Sequence, residues 1–254
     1  MLRLVTIPIS HYCEKARWAL DRAELPYREE RHVQIVHVFA ARLAGGGTTT
    51  PVLVTPERAI GSSQEIVAWA DHRMRPERRV LPDAPAARDE IERLCRRFDD
   101  GLGVWARRLI YVLMLPDPEL MLRYNNQGVP RWEDRLLRRA FGPAADGVKR
   151  VLDIRPGVDV QDEADVWREF DAVADLLADG RKYLCGDRFS AADLAFAALS
   201  SPVVAPPGYG VELPGPDELA PRTADIVRRA REHPAGRFAL AMYATQRDAR
   251  TAVP

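Results

Sequence analysis

The residues best placed to do chemistry lie near the N-terminus, in Ser10-His11-Tyr12-Cys13-Glu14-Lys15-Ala16-Arg17-Trp18. Residues 2–7 form a short apolar run that reads as a strand, and Cys13, Ala16, Leu20 and Ala23 then recur at helical spacing. Ser10 therefore falls where a strand turns into a helix. A hydroxyl there meets the unpaired N–H groups of the first turn and the positive end of the helix dipole, so it suits an anion such as a bound thiolate. Capping the helix is the other use of such a serine. Cys13, one turn into the helix on its apolar face, reads as a structural thiol, with a redox role as the alternative.

Other chemistries lack their residues. The five histidines form no HExxH and no Cys/His cluster, so no metal site is expected. Gly45-Gly46-Gly47-Thr48-Thr49-Thr50 is glycine-rich but has no lysine before the threonines, as a phosphate loop requires, and no GxSxG occurs. Of 37 basic residues only three are lysine, yet 37 acidic residues cancel the charge, so no nucleic-acid partner is expected. The apolar stretches fall short of the ~20 residues that cross a bilayer, and the N-terminus lacks the apolar run of a signal peptide. The expectation is a cytoplasmic protein with no membrane partner.

The elements that must position Ser10 fall into two groups. Residues 2–7, 27–33, 51–54 and 59–60 read as strands, interleaved with helices over 11–24 and 36–43 and a third that starts near Ser62 or Ser63. That alternation predicts a mixed sheet, partly parallel. Proline and charge over residues 72–87 mark a linker. Beyond it Ile91, Leu94, Cys95, Phe98, Leu102, Trp105, Leu109 and Val112 mark one face of a long helix ended by Pro116. Cys95 shares the face of Leu94 and Phe98, which makes it a core residue. Helices are further predicted over 132–141, 163–178, 191–199, 224–232 and 236–247, with 201–221 an irregular connection. An α/β unit is thus followed by an all-α one.

The segment around Ser10 resembles the active-site loop of glutathione transferases and, more distantly, that of glutaredoxins. In that alignment Ser10 holds the catalytic Cys or Ser position, His11 the usual Pro, and Cys13 the second Cys. Thr50-Pro51-Val52 resembles the segment whose cis-proline begins the third strand, and Ile60-Gly61-Ser62-Ser63-Gln64-Glu65-Ile66 the turn before the third helix. Tyr183-Leu184-Cys185-Gly186-Asp187-Arg188-Phe189-Ser190-Ala191-Ala192-Asp193 resembles the capping motif of the helical domain, where Ser190 caps and Asp193 returns the bond. Pro234-Ala235-Gly236-Arg237-Phe238 is similar to the opening of a last helix. Together these cover most of the chain in the family's order.

The resemblance implies a thioredoxin-like thiol-binding domain over residues 1–75, a linker over 76–86 and an all-helical substrate-pocket domain over 87–254. It also implies a homodimer. The implied activity is that of a serine-type transferase with glutathione, or another low-molecular-weight thiol, as co-substrate. Thr50, Pro51, Ser62 and Ser63 would hold the thiol compound, and Tyr12 would line the pocket for a small hydrophobic electrophile, as in detoxification; Trp105, on the buried face of the long helix, reads as core, with a place in that pocket as the alternative. Ser10 would donate a hydrogen bond to the thiolate. Lowering a free thiol's pKa from near 8.5 by two units takes about 2.7 kcal/mol of preferential thiolate stabilisation, within reach of one charge-assisted bond plus the dipole.

Three features depart from the family pattern. Ser62 stands where the family has Glu or Gln, residues 45–50 carry no basic or amide side chain, and residues 116–156 are extended. They favour one alternative to the transferase, a non-catalytic ligand-binding or assembly protein of the same fold; a second alternative is a thiol oxidoreductase using Cys13. The extension would supply a lid, a dimer contact or a pocket wall. Its amide-rich Tyr124-Asn125-Asn126-Gln127 reads as an ordinary surface connection, with a pocket-facing stretch as the alternative.

Overall fold

Alternation along β1 (Leu2–Thr6) sends Leu4 and Val5 to opposite faces of a sheet, and both faces are covered. The computed structural model describes residues 1–248 and 252–253. Leu4 packs with Leu53 and Ile60 against Ala16, Leu20, Ile66 and Val67 of α1 (His11–Arg22) and α3 (Ser63–Asp71). Val5 packs with Val52 against Ala41 of α2 (Val36–Leu43) on the other side. β1 pairs in parallel with β2 (Tyr27–Arg31), Leu2 opposite Tyr27, and antiparallel with β3 (Val52–Val54), Leu4 opposite Leu53. β4 (Ala59–Ile60) closes one edge, and with β5 (Ala252–Val253) at the other the sheet order is β4-β3-β1-β2-β5. The glycine run before β3 is a packing requirement: a side chain at Gly46 would collide with Val52.

The remainder is helical: α4 (Pro85–Arg97), α5 (Gly103–Met114), α6 (Pro118–Asn125), α7 (Arg131–Arg139), α8 (Phe141–Val151), α9 (Val158–Leu177), α10 (Ala191–Val204), α11 (Pro221–Glu232) and α12 (Pro234–Gln246). α10 lies at the centre, with all its residues but Pro202 buried, and α1, α4, α5, α11 and α12 pack around it. At its start Ser190 and Asp193 form the capping box: the Asp193 carboxylate accepts from the Ser190 N–H and hydroxyl and from Leu184 N, each at 2.7 Å. The fold is therefore a mixed β-α sheet followed by an all-helical domain, as expected. Cys95 is fully buried in the main core. No helix among the described residues is long and apolar enough to cross a membrane.

The structure departs from the sequence reading at several elements. The single helix expected through 91–112 is broken by a π-helical turn at Phe98–Leu102 between α4 and α5. α10 runs five residues past 199, through Pro202, and ends at left-handed Ala205. In the last turn a missing N–H removes only one ladder bond, while burial of Val203 and Val204 favours continuation. α11 and α12 begin earlier than expected because Pro221 and Pro234 each sit in the first turn, where no donor is needed. The amide-rich stretch is not a surface connection: Asn125 is 1% exposed and hydrogen-bonds Gln34. A short β5 (Ala252–Val253), absent from the sequence reading, returns to pair in parallel with β2.

Candidate active site

Ser10 occupies the N-cap of α1 with extended backbone (φ −67°, ψ 123°), and its Oγ accepts from Cys13 N at 3.4 Å. It is both the cap and a hydroxyl on a cavity, since accepting that bond leaves the O–H able to donate. The cavity is about 550 Å³ and lies between the β1–α1 connection and the helices of the second domain. That volume falls in the range of small-molecule sites.

The cavity brings Ser10, Tyr12 and Thr50 together. Thr50 precedes a cis peptide to Pro51, which is buried and does not line the cavity. Ser62 and Ser63 do not line it: Ser62 caps α3 by accepting from Glu65 N at 3.5 Å, and Ser63 is buried in the first turn. Trp105 lies outside the lining as well, packed on the main core beside Gly101. Tyr12 is a fixed wall, its hydroxyl donating to the Asp99 carbonyl at 2.7 Å. Burial pushes that phenol up to about 12, so it is no acid at neutral pH.

His11, where the family has proline, turns its Nε2 to the Gly103 carbonyl at 2.9 Å, so that nitrogen carries the proton. Burial, helped by Arg107, lowers its pKa to about 3, and the ring is neutral. Cys13 is fully buried beneath Ser10, and burial raises its thiol pKa, the opposite of what a redox thiol needs.

Charge in the cavity is one-sided. Arg107 lines it, and among the described residues no carboxylate does. The guanidinium lies 5.6 Å from the centre of the Tyr12 ring, and its Nε is buried without a hydrogen-bond partner. Arg107, Ile110, Tyr111 and Met114 recur at helical spacing along one cavity-facing stripe of α5. The sequence reading followed the other stripe, through Trp105 and Leu109, and missed this one. Its signal was present: Ile110 and Met114 repeat beside the polar pair at i, i+3, i+4 and i+7. The extension of 116–156 supplies cavity wall, through Met121 of α6, Val148 of α8 and Leu152 just past its end.

Residues 4–78 match the family described as glutathione S-transferase, N-terminal domain. Among solved structures, a glutathione S-transferase from Xanthobacter autotrophicus superposes with a TM-score of 0.62 at 15% identity, over 96% of this chain and 93% of that one. A glutathione transferase from Populus trichocarpa gives 0.59 at 12% identity, over 96% and 100%. The fold is that of the glutathione transferases. A further member of the fold, from Methylobacillus flagellatus, was solved with glutathione bound and gives 0.54 at 16% identity, over 94% and 98%. Comparison with curated protein sequences gives no match.

Proposed function

We propose that this chain is a transferase that binds glutathione or another small thiol beside Ser10 and directs its thiolate at a small hydrophobic electrophile in the cavity. The observation that carries this reading is the joint presence of the Ser10 hydroxyl, at a helix N-terminus, and of Thr50 on one largely apolar cavity. The Ser10 O–H donates to the thiolate sulfur, and the first-turn N–H groups of α1 add their dipole. Thr50, through the backbone before the cis peptide to Pro51, holds the middle of the thiol compound, whose far end leaves the cavity toward Ser62 and Ser63 at the start of α3. The electrophile sits against Tyr12, α5, α6 and α8. Glutathione bound to the Methylobacillus protein supports the choice of thiol. A cytoplasmic homodimer is part of the same reading.

Calorimetric titration with glutathione, and then with other cellular thiols, tests it on wild type and on Ser10→Ala. The expected result is binding by both proteins, with the ultraviolet absorbance of a thiolate present in wild type and lost in the variant. Failure of wild type to bind any thiol would leave a ligand-binding protein on a transferase fold. The oxidoreductase alternative is disfavoured by the full burial of Cys13.

A further inference from the structure

Among the described residues Arg107 is a cation without a counter-ion on a largely apolar cavity. No ion pair or hydrogen bond to another side chain engages its guanidinium among the described residues, and no carboxylate lines the cavity around it. Arg107 is half-buried, with its Nε shut off from solvent, and a buried polar group of that kind is normally paired. Elsewhere this molecule provides such a pair: Arg108, the next residue, meets Asp162 of α9 through two bonds of 2.6 Å.

Tyr111 stands one helical turn beyond Arg107 on the same stripe. Its hydroxyl accepts from Gln34 Nε2 at 2.8 Å, which leaves the phenolic proton to donate. A chain of buried amides fixes that arrangement. Gln34 exchanges two hydrogen bonds with Asn125, whose Nδ2 also donates to Asn126 Oδ1 at 2.7 Å. Asn126 in turn donates to Asp134 at 2.8 Å. Gln34 thus has its amide directed by Asn125, and the Tyr111 oxygen is held as an acceptor toward Gln34. The amide-rich stretch of α6 therefore acts on the cavity without touching it.

We infer that Arg107 and Tyr111 form an anion-binding subsite, and that the cavity takes an apolar molecule carrying one carboxylate or a comparable single anionic group. The guanidinium supplies the charge and a planar pair of donors, and Tyr111 supplies a third. The apolar part lies along Ile110, Met114, Met121 and Val148. As a statement of substrate class this rests on the transferase reading, but binding of the anion does not need the thiol.

The test uses the whole protein without thiol, titrated with 4-phenylbutyrate and with its uncharged amide. Wild type is expected to prefer the carboxylate by about tenfold to a hundredfold, the range for a hydrogen bond to a charged group. Arg107→Gln should erase the preference by weakening the carboxylate alone, and Tyr111→Phe should reduce it by a smaller factor. Equal binding of the two probes by wild type, or binding of neither, overturns the inference. So does a preference that survives in folded Arg107→Gln. Should that variant not fold, Arg107→Lys replaces it, and a carboxylate preference undiminished there and in Tyr111→Phe overturns the subsite. Because no thiol is present, failure here is separate from failure of Ser10 to hold a thiolate.

Discussion

Acid should weaken this protein earlier than its carboxylates alone would, and His11 is the reason. Its ring is buried at 3% exposure with Nε2 on the Gly103 carbonyl, and its pKa falls to about 3 from an ordinary 6.5. In the unfolded chain the same ring takes up a proton below about pH 6.5. Between the two values the unfolded state binds the extra proton, so stability rises with pH across that window and is lost as pH falls through it. The proton linkage amounts to ~2 kcal/mol at about pH 5, and to ~5 kcal/mol once both states are protonated. Against a total stability of roughly 5–15 kcal/mol that is a large share. Glu29, held at about 2 by Arg17 and Arg31 against its own burial, acts in the same direction but below about pH 4.5. His37, also lowered by burial, shares the upper window. Urea unfolding from about pH 7.5 to pH 5 on wild type and His11→Gln separates them, since glutamine keeps a donor for the Gly103 carbonyl. Wild type should lose ~2 kcal/mol more than the variant over that range. Identical slopes, or a wild type that gains stability on acidification, would refute the argument.

Single contacts set three further outcomes. A Cβ on Gly103 would stand 2.5 Å from the Tyr12 hydroxyl oxygen and 3.2 Å from Leu199 Cδ2, so Gly103→Ala should cost ~2 kcal/mol in urea unfolding and open the cavity wall at Tyr12. A variant as stable as wild type would mean that Tyr12 is not held in place. Asp193→Ala strands the Leu184 and Ser190 donors and should cost about 3 kcal/mol or more, while carboxylate binding in the cavity survives in whatever protein remains folded. Cys13→Ser should keep any thiol-transfer activity within a few-fold, because the thiol is buried and not ionised; abolished turnover in a folded variant would restore the oxidoreductase reading.

The parts of the fold and site that were legible in sequence were those decided locally. Ser10 and Ser62 cap helices because a short oxygen side chain precedes an apolar-periodic run, and Ser190 with Asp193 closes its box within four residues. The features that escaped depend on partners far along the chain. The π-helical turn at Phe98–Leu102 is dictated by no propensity of those residues. Its backbone is gripped from α1, by Tyr12 on the Asp99 carbonyl and His11 on the Gly103 carbonyl, about ninety residues away. Asn125 looked like surface because amides usually are, and is buried because Gln34, 91 positions earlier, completes its bonds. Arg107 was hidden by the stronger stripe of Leu109. Only the packing against α10 and α9 shows which of the two apolar faces of α5 is core and which is cavity.

The buried charges around α1 account for how the two halves of the site keep their register. Arg17 and Glu14 are fully buried, and Arg17 also meets Glu29 on β2 at 2.7 Å; Arg247 reaches Glu14 at 2.8 Å and Asp21 at 2.9 Å. Lys15, fully buried, holds both Asp99 oxygens and Gln64. Apolar residues of similar size can match such pairs in stability, since desolvation cancels much of their attraction. Apolar packing, however, tolerates a helix that slides or rotates slightly, whereas these bonds fix α1 against β2, the C-terminal segment and the π-helical turn at once. That turn carries an extra residue, and one residue rotates the helix beyond it by ~100°. Without it the stripe of Arg107 and Tyr111 would turn away from Ser10. The same contacts that anchor the turn to α1, through His11, Tyr12 and Lys15, therefore set the direction in which an anionic group on α5 would present the rest of its molecule to a thiolate on Ser10.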